Sequence, residues 1–234
     1  MPENILSLET SGSVGSVAAL VGARLLCERP LDPRWRCTQT LAPALHDLLG
    51  YVGWRAAEVR LVAVSIGPGS FTSLRVGVTT AKAFAYATGA SVLAINTLEA
   101  VAERAPAEAR KLAVLIDAQR DEVFVGHFMR ADDGRFQLSA LPQIVAVERL
   151  LSILPEGTHL SGPALGRLVD RLPTHVMAVD QHLWHPTATD VGRLASRFYA
   201  AGRRDDMWTL APFYMRASAA EEKLAGRRDR QRPA

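Results

Sequence analysis

A glycine-proline-glycine turn between an apolar strand and a long helix constrains this chain most. The run Leu61-Val62-Ala63-Val64-Ser65-Ile66 reads as a buried strand. It leads into Gly67-Pro68-Gly69-Ser70, after which helical spacing holds over Phe71–Thr88. Gly67 and Gly69 accept the backbone angles of a sharp strand-to-helix turn, and Pro68 stiffens it. The Ser70 hydroxyl is placed to accept an orphan N–H of the first helical turn. Free amides at such an end can also hold an anion. Gly89 sits where a helix ends.

The elements around this turn give an ordered series. Strands are expected at Asn4–Glu9, 14–21 and 24–28. Thr10-Ser11-Gly12-Ser13 and Gly22-Ala23 join them, and such short links favour an antiparallel meander. A helix over 40–52 places Leu41, Leu45, Leu48, Leu49 and Val52 on one face. A strand at 91–95 follows the helix that opens at Phe71. Three antiparallel strands, helix, strand, helix, strand is, by analogy, the order of an actin/Hsp70/sugar-kinase half-domain.

Arg104-Ala105-Pro106-Ala107-Glu108 reads as a junction. Beyond it strands are expected at 112–117 and Glu122–Arg130, separated by a turn at 118–121. A second turn falls at 132–134, helices at 147–154 and 165–172, and a strand at 176–179. A last helix at 188–201 has Thr187 and Asp190 as its capping box. Its buried face is Val191, Leu194, Ala195, Phe198 and Tyr199. The expected fold is α/β: two actin-like, ribonuclease-H-like domains with mixed sheets and helices. They span 1–104 and 105–216, with a basic tail at 217–234 that is expected to be mobile.

Charge argues against a dedicated nucleic-acid surface. Residues 216–234 hold six basic and three acidic groups, a balance of +3 that equals the net charge of the whole chain. The body is therefore neutral, without the basic stripe of a nucleic-acid-binding fold. Two cysteines, Cys27 and Cys37, make no disulfide framework and favour a reducing compartment. No run of 18 apolar residues occurs, and Met1-Pro2-Glu3-Asn4 has no basic leader. The expected location is the cytoplasm, away from membranes.

Candidate chemistry is sparse. None of the six histidines lie four apart, and His182 and His185, three apart, have no third ligand in view, so no metal is expected. Thr10, Ser11 and Ser13 offer hydroxyls, and Gly67, Gly69 and Ser70 offer backbone amides, as candidate nucleotide-phosphate contacts. Glu9 and Asp117 are the two carboxylates that could position water or metal. Ser70 lies in Gly-Ser-Phe, which is not a nucleophile elbow, so no catalytic residue is assigned. The helix opening at Phe71 carries only two charges, Arg75 and Lys82. Its first apolar stripe is Phe71, Leu74, Val78, Ala81 and Ala85. A second, of small residues, is Val76, Thr80, Ala83 and Ala87. That second stripe can pack inside the chain or on another chain.

The string GPGSFTSLR at 67–75 resembles the GPGSFTGLR signature of the TsaB (YeaZ) family, with Ser73 in place of glycine. Three other segments carry the resemblance from residue 4 to residue 216. Residues 5–11 are similar to the family's ILAIDTS, with Glu9 in place of aspartate. Residues 117–124 resemble DARRGEVY, and 212–216 resemble P-x-YLR. At 36–41 the family pattern RHSERL has become Arg-Cys-Thr-Gln-Thr-Leu, with Cys37 for histidine and Gln39 for glutamate. The resemblance implies a non-catalytic subunit that binds and activates TsaD. With TsaE it would support threonylcarbamoyl transfer to the tRNA adenosine beside the anticodon. It implies docking through Leu41, Leu45, Leu48, Leu49, Phe71, Leu74, Arg75, Val78 and Ala81, and a homodimer when TsaD is absent. The complex would be the main route of tRNA contact. No tightly bound cofactor is implied, with ADP or ATP at the complex interface as the candidate ligand. The alternative is an active phosphotransferase or nucleotide hydrolase of the same superfamily.

Overall fold

Alternation of side chains along the central strands separates two helical layers, and the rest of the first lobe follows from it. The structure, a computed structural model, describes residues 3–216; the tail expected at 217–234 lies outside them. β1 (Asn4–Glu9), β2 (Ser16–Val21), β3 (Arg24–Pro30), β4 (Leu61–Gly67) and β5 (Ser91–Asn96) form one sheet in the order β3-β2-β1-β4-β5. β1 pairs antiparallel with β2 and parallel with β4. Leu6, Leu8, Val17, Ala19, Val62 and Val64 point to one face, where α1 (Cys37–Val52) and α2 (Phe71–Thr88) cover them. Ile5, Ala18, Leu20, Leu61 and Ala63 point to the other, under α6 (Ala188–Ala200).

The second sheet repeats the plan. β6 (Lys111–Gln119), β7 (Glu122–Arg130), β8 (Phe136–Leu138), β10 (Thr158–Ser161) and β11 (Met177–Ala178) lie in the order β11-β10-β6-β7-β8, and β9 (Gln143–Ala146) also pairs with β7. β6 is antiparallel to β7 and parallel to β10, matching β1 with β2 and β4. α4 (Val147–Ile153) and α5 (Leu165–Leu168) cover the Ala113, Leu115, Val123 and Val125 face. The expected pair of actin-like lobes is therefore present, although no sequence repeat announces it.

The lobes exchange their last helices. α3 (Thr97–Ala102), which ends the first half, packs Leu98, Val101 and Ala102 against Leu112, Val114 and Ile116 of the second sheet. α6, which ends the second half, packs Val191, Leu194 and Ala195 on the first sheet, with Phe198 and Tyr199 half-buried beside them. Ser7 Oγ donates to Ala188 O at 2.7 Å, and Ala188 N–H donates to Ser16 Oγ at 2.8 Å. Residues 188–200, within the span 105–216 expected for the second domain, thus pack on the first sheet.

Several expected boundaries move. α1 starts at Cys37 rather than 40, where Gln39 accepts the Arg36 N–H at 3.3 Å; that first turn is polar and carries no apolar period. β2 starts at Ser16 because Gly15 is pressed on Glu9 O, where a Cβ would come within 2.7 Å. The expected helix at 165–172 is α5 followed by a tighter 3-10 turn at Val169–Arg171, and the strand at 176–179 is two residues long. α6 keeps its capping box: Thr187 N–H donates to Asp190 Oδ2 at 2.9 Å, and Asp190 N–H to Thr187 Oγ1 at 3.3 Å. No helix among the described residues is long and apolar enough to cross a membrane.

Candidate functional site

The strand-to-helix turn at 67–70 forms the floor between the lobes. Gly67 has a φ of +119° and lies against Phe213 O, where a Cβ would come within 2.9 Å. Gly69 is tighter still: a Cβ there would sit 2.4 Å from Ser11 O. Ser70 N–H donates to that same oxygen at 2.7 Å. The β1–β2 turn and the β4–α2 turn thus seat directly on each other. The Ser70 hydroxyl accepts Ser73 N–H at 3.5 Å, the expected cap, and lies 3.1 Å from the Ser73 hydroxyl.

A cavity of about 570 Å³ opens beside this seat. Thr10, Ser11, Ser13, Gly69 and Ser70 line it, together with Cys37 and, from the facing lobe, Asp117. Gly67 does not; it faces the C-terminal segment. Five of the six expected phosphate contacts are therefore brought together. The expected cradle is nevertheless a poor one. The turns spend backbone groups on each other; among the described residues Arg36 is the one cationic side chain that lines the wall, and the Asp32 and Asp117 carboxylates there are already paired with Arg34 and Arg167.

One carboxylate is sealed and the other is paired. Glu9 is fully buried, and its Oε1 accepts both the N–H and the hydroxyl of Ser11 at 2.5 Å. Among the described residues its Oε2 has no hydrogen-bond partner. Burial raises the Glu9 pKa above its ordinary 4.5, against the pull of the Ser11 bonds. Asp117 Oδ1 takes a 2.8 Å bond from the Arg167 guanidinium, which also holds Asp121 at 3.1 Å. Cys37 is half-buried; burial first, and the Glu9 charge second, push its thiol pKa up. Among the described residues no group of three or more His, Cys, Asp or Glu is placed to hold a metal.

The helix pair requires a correction. Leu41, Leu45 and Leu48 of α1, and Leu74, Val78 and Ala81 of α2, are 5 % exposed or less. They are the face that covers the first sheet, so a partner cannot reach them. The reason is periodicity itself: the strongest apolar stripe of a helix goes to its own core. Of the expected docking residues, Leu49 and Phe71 are half-buried and Arg75 is exposed. Outward positions belong instead to Ala42, His46, Gly50 and Tyr51 on α1, and to Thr72, Thr79, Ala83 and Tyr86 on α2. Ala83 and Ala87 of the weaker stripe are exposed, whereas Val76 and Thr80 are half-buried.

The C-terminal segment, whose part in the site periodicity does not reveal, runs back along α2. Trp208 meets Tyr86 edge-on at 5.8 Å, Lys82 Nζ donates to Leu210 O at 3.0 Å, and Phe213 N–H donates to Ile66 O at 2.7 Å. Tyr214 then stacks on Phe71 at 4.7 Å.

Comparison with known proteins matches these features along nearly the whole chain. A family model described as "TsaD: tRNA N6-adenosine threonylcarbamoyltransferase" matches residues 36–222. The chain is 27% identical over 235 residues to the tRNA threonylcarbamoyladenosine biosynthesis protein TsaB of Escherichia coli K12, covering 95% of this chain and 99% of that protein. It is 25% identical to the TsaB of Bacillus subtilis 168, covering 94% and 96%. The solved structure of YeaZ from Pseudomonas aeruginosa superposes with a TM-score of 0.78 at 31% identity, covering 91% of this chain and all of that one. Full-length matches of this kind, on a doubled actin-like plan with the glycine-proline-glycine seat, mean that the chain belongs to the TsaB (YeaZ) family, within the larger group that the TsaD model describes.

Proposed function

We propose that this chain is a non-catalytic subunit of tRNA threonylcarbamoyladenosine biosynthesis. It binds and activates a TsaD-like protein, and with a TsaE-like protein supports transfer of threonylcarbamoyl to the tRNA adenosine beside the anticodon. The observation that carries this reading is the state of its two candidate carboxylates: Glu9 is sealed in the core and Asp117 is held by Arg167. With one candidate carboxylate sealed and the other paired, a docking surface is the better-supported role for the described residues. The surface is the outward side of α1 and α2, where exposed Ala42, Gly50, Thr79 and Ala83 let another helix approach closely.

In this reading a second copy takes the same face when TsaD is absent, and ADP or ATP belongs to the complex interface, where the partner adds contacts to the turns that line the cleft. tRNA is met through the complex, in the cytoplasm. Titration calorimetry with a TsaD-like partner tests the docking face. Ala83→Glu is harmless to an exposed helical position, yet it desolvates a charge in the contact. Binding at least about tenfold weaker is expected. Unchanged affinity would place the interface elsewhere.

A further inference from the structure

Four consecutive residues near the end of the described chain grip both lobes at once. On the first lobe, Phe213 N–H is bonded to Ile66 O, and Tyr214 stacks on Phe71 and accepts Arg75 Nε–H at 2.8 Å. The Arg75 guanidinium lies 3.8 Å over the Phe71 ring, so three side chains make one stack on the opening turns of α2. On the second lobe, Met215 packs beside the cluster that contains Ile116, Ala118 and Phe124. Arg216 donates to Ala118 O at 2.6 Å and to the Glu122 carboxylate.

The second grip brackets an unusual turn. Gln119, Arg120 and Asp121 have φ values of +63°, +53° and +54°. Three successive non-glycine residues in the left-handed region are costly and persist only where their surroundings hold them. Arg216 holds the residues on either side of this turn, and Arg167 and Arg171 hold Asp121 itself. A cavity of about 480 Å³ lies under the strap, bounded by the glycine-proline-glycine seat on one side and the strained turn on the other.

We propose that residues 213–216 form a releasable latch that closes the two lobes on each other, and that a partner docking on the start of α2 competes with it. The stack occupies Phe71 and Arg75, which flank the start of the outward α2 face assigned above to a partner, so the competition rests on that docking reading. A partner that takes these two side chains displaces Tyr214. Arg216 then loses its tether, and the turn at 119–121 is freed to relax. The latch therefore lowers partner affinity by the fraction of molecules that are closed.

Backbone hydrogen exchange on the full chain separates a latch from a local contact. Among the described residues Tyr214 stacks on Phe71 and is bonded by Arg75 of the first lobe, whereas Arg216 donates to Ala118 and Glu122 of the second. In Tyr214→Ala, amides at 117–123 are expected to exchange about tenfold faster; in Arg216→Ala, those at 66–75 are. Faster exchange confined to each residue's own lobe would overturn the latch. Calorimetry with a TsaD-like partner tests the competition: Tyr214→Ala is expected to bind about tenfold more tightly than the unaltered chain. Equal or weaker binding would overturn it. Failure of the unaltered chain to bind at all would overturn the docking reading and the competition together, while the exchange pattern would still decide the latch.

Discussion

The two lobes share a strand order but not an investment in helices. In the first, α1 has 16 residues and α2 has 18. Their counterparts α4 and α5 have 7 and 4. The partner strands shrink likewise: β4 and β5 have 7 and 6 residues, whereas β10 and β11 have 4 and 2. The second lobe has been trimmed to what its own core needs. The first keeps helices long enough to cover its sheet and still present an outward face. Hinge turns differ in the same way. The β1–β2 turn uses Gly12 and Gly15, while the β6–β7 turn forces three non-glycine residues into left-handed angles and clamps them with arginines.

Removing core side chains gives the largest expected break in this comparison. Leu48→Ala is expected to cost about 2–5 kcal/mol, because Leu48 of α1 is wholly buried in the core cluster over the first sheet. Leu151→Ala on α4, only partly buried, should cost less than half as much in the same denaturant melts. Equal losses would mean that the short helices carry as much of the core as the long ones.

The buried carboxyl of Glu9 makes first-lobe stability depend on pH. Its folded pKa is raised by burial, so the folded state holds the proton more tightly than the unfolded one. The stability it contributes is full below the ordinary value of 4.5 and is lost as pH rises towards the raised value. Glu9→Gln keeps an acceptor for Ser11 and removes the titration. Its stability, measured across pH, should hold where that of the unaltered chain declines. Parallel profiles would contradict the sealed-carboxyl account.

Helix glycines should respond in opposite senses. A Cβ on Gly77 of α2 would meet Thr10 Oγ1 at 2.2 Å, and the Thr10 Cβ and methyl at 3.2 Å. Gly77→Ala is thus expected to lose about 1–3 kcal/mol. Gly166 in α5 has nothing within 4 Å, and Gly166→Ala should gain up to about 1 kcal/mol. Thermal melts of the pair check both signs. Smallest of all is the exposed clamp: Arg167→Ala should change stability by less than about 1 kcal/mol, since Asp117 and Asp121 are each half-exposed.

Much of this plan can be read in the residues. The apolar run of β4, the Ser70 cap, and the Thr187–Asp190 box are local signals that the fold obeys. Where local signals fade, so does legibility. α3 is six residues long and buried on nearly all sides, leaving little period to find, although the Asn96 cap that accepts Leu98 N–H at 2.8 Å is a signal in plain sight. β8, β9 and β10 are three or four residues each, shorter than a periodicity window. The site divides along the same line. Thr10, Ser11, Ser13, Gly69 and Ser70 converge as the spacing around the turns suggests. Apolar spacing alone cannot say which stripe of a helix meets the sheet and which meets solvent, so Leu45 and Ala81 look like docking residues until the sheet is in place. The exchange of α3 and α6 between lobes is a long-range choice that no local pattern encodes.

Reconstitution tests the central claim most directly. The unaltered chain would be combined with TsaD-like and TsaE-like proteins, ATP, threonylcarbamoyl-adenylate and unmodified tRNA, and the modified nucleoside counted. A non-catalytic activating subunit predicts modification that requires this chain but none from the chain by itself. Modification that proceeds equally well in its absence, with a TsaD-like protein that it demonstrably binds, would contradict the account.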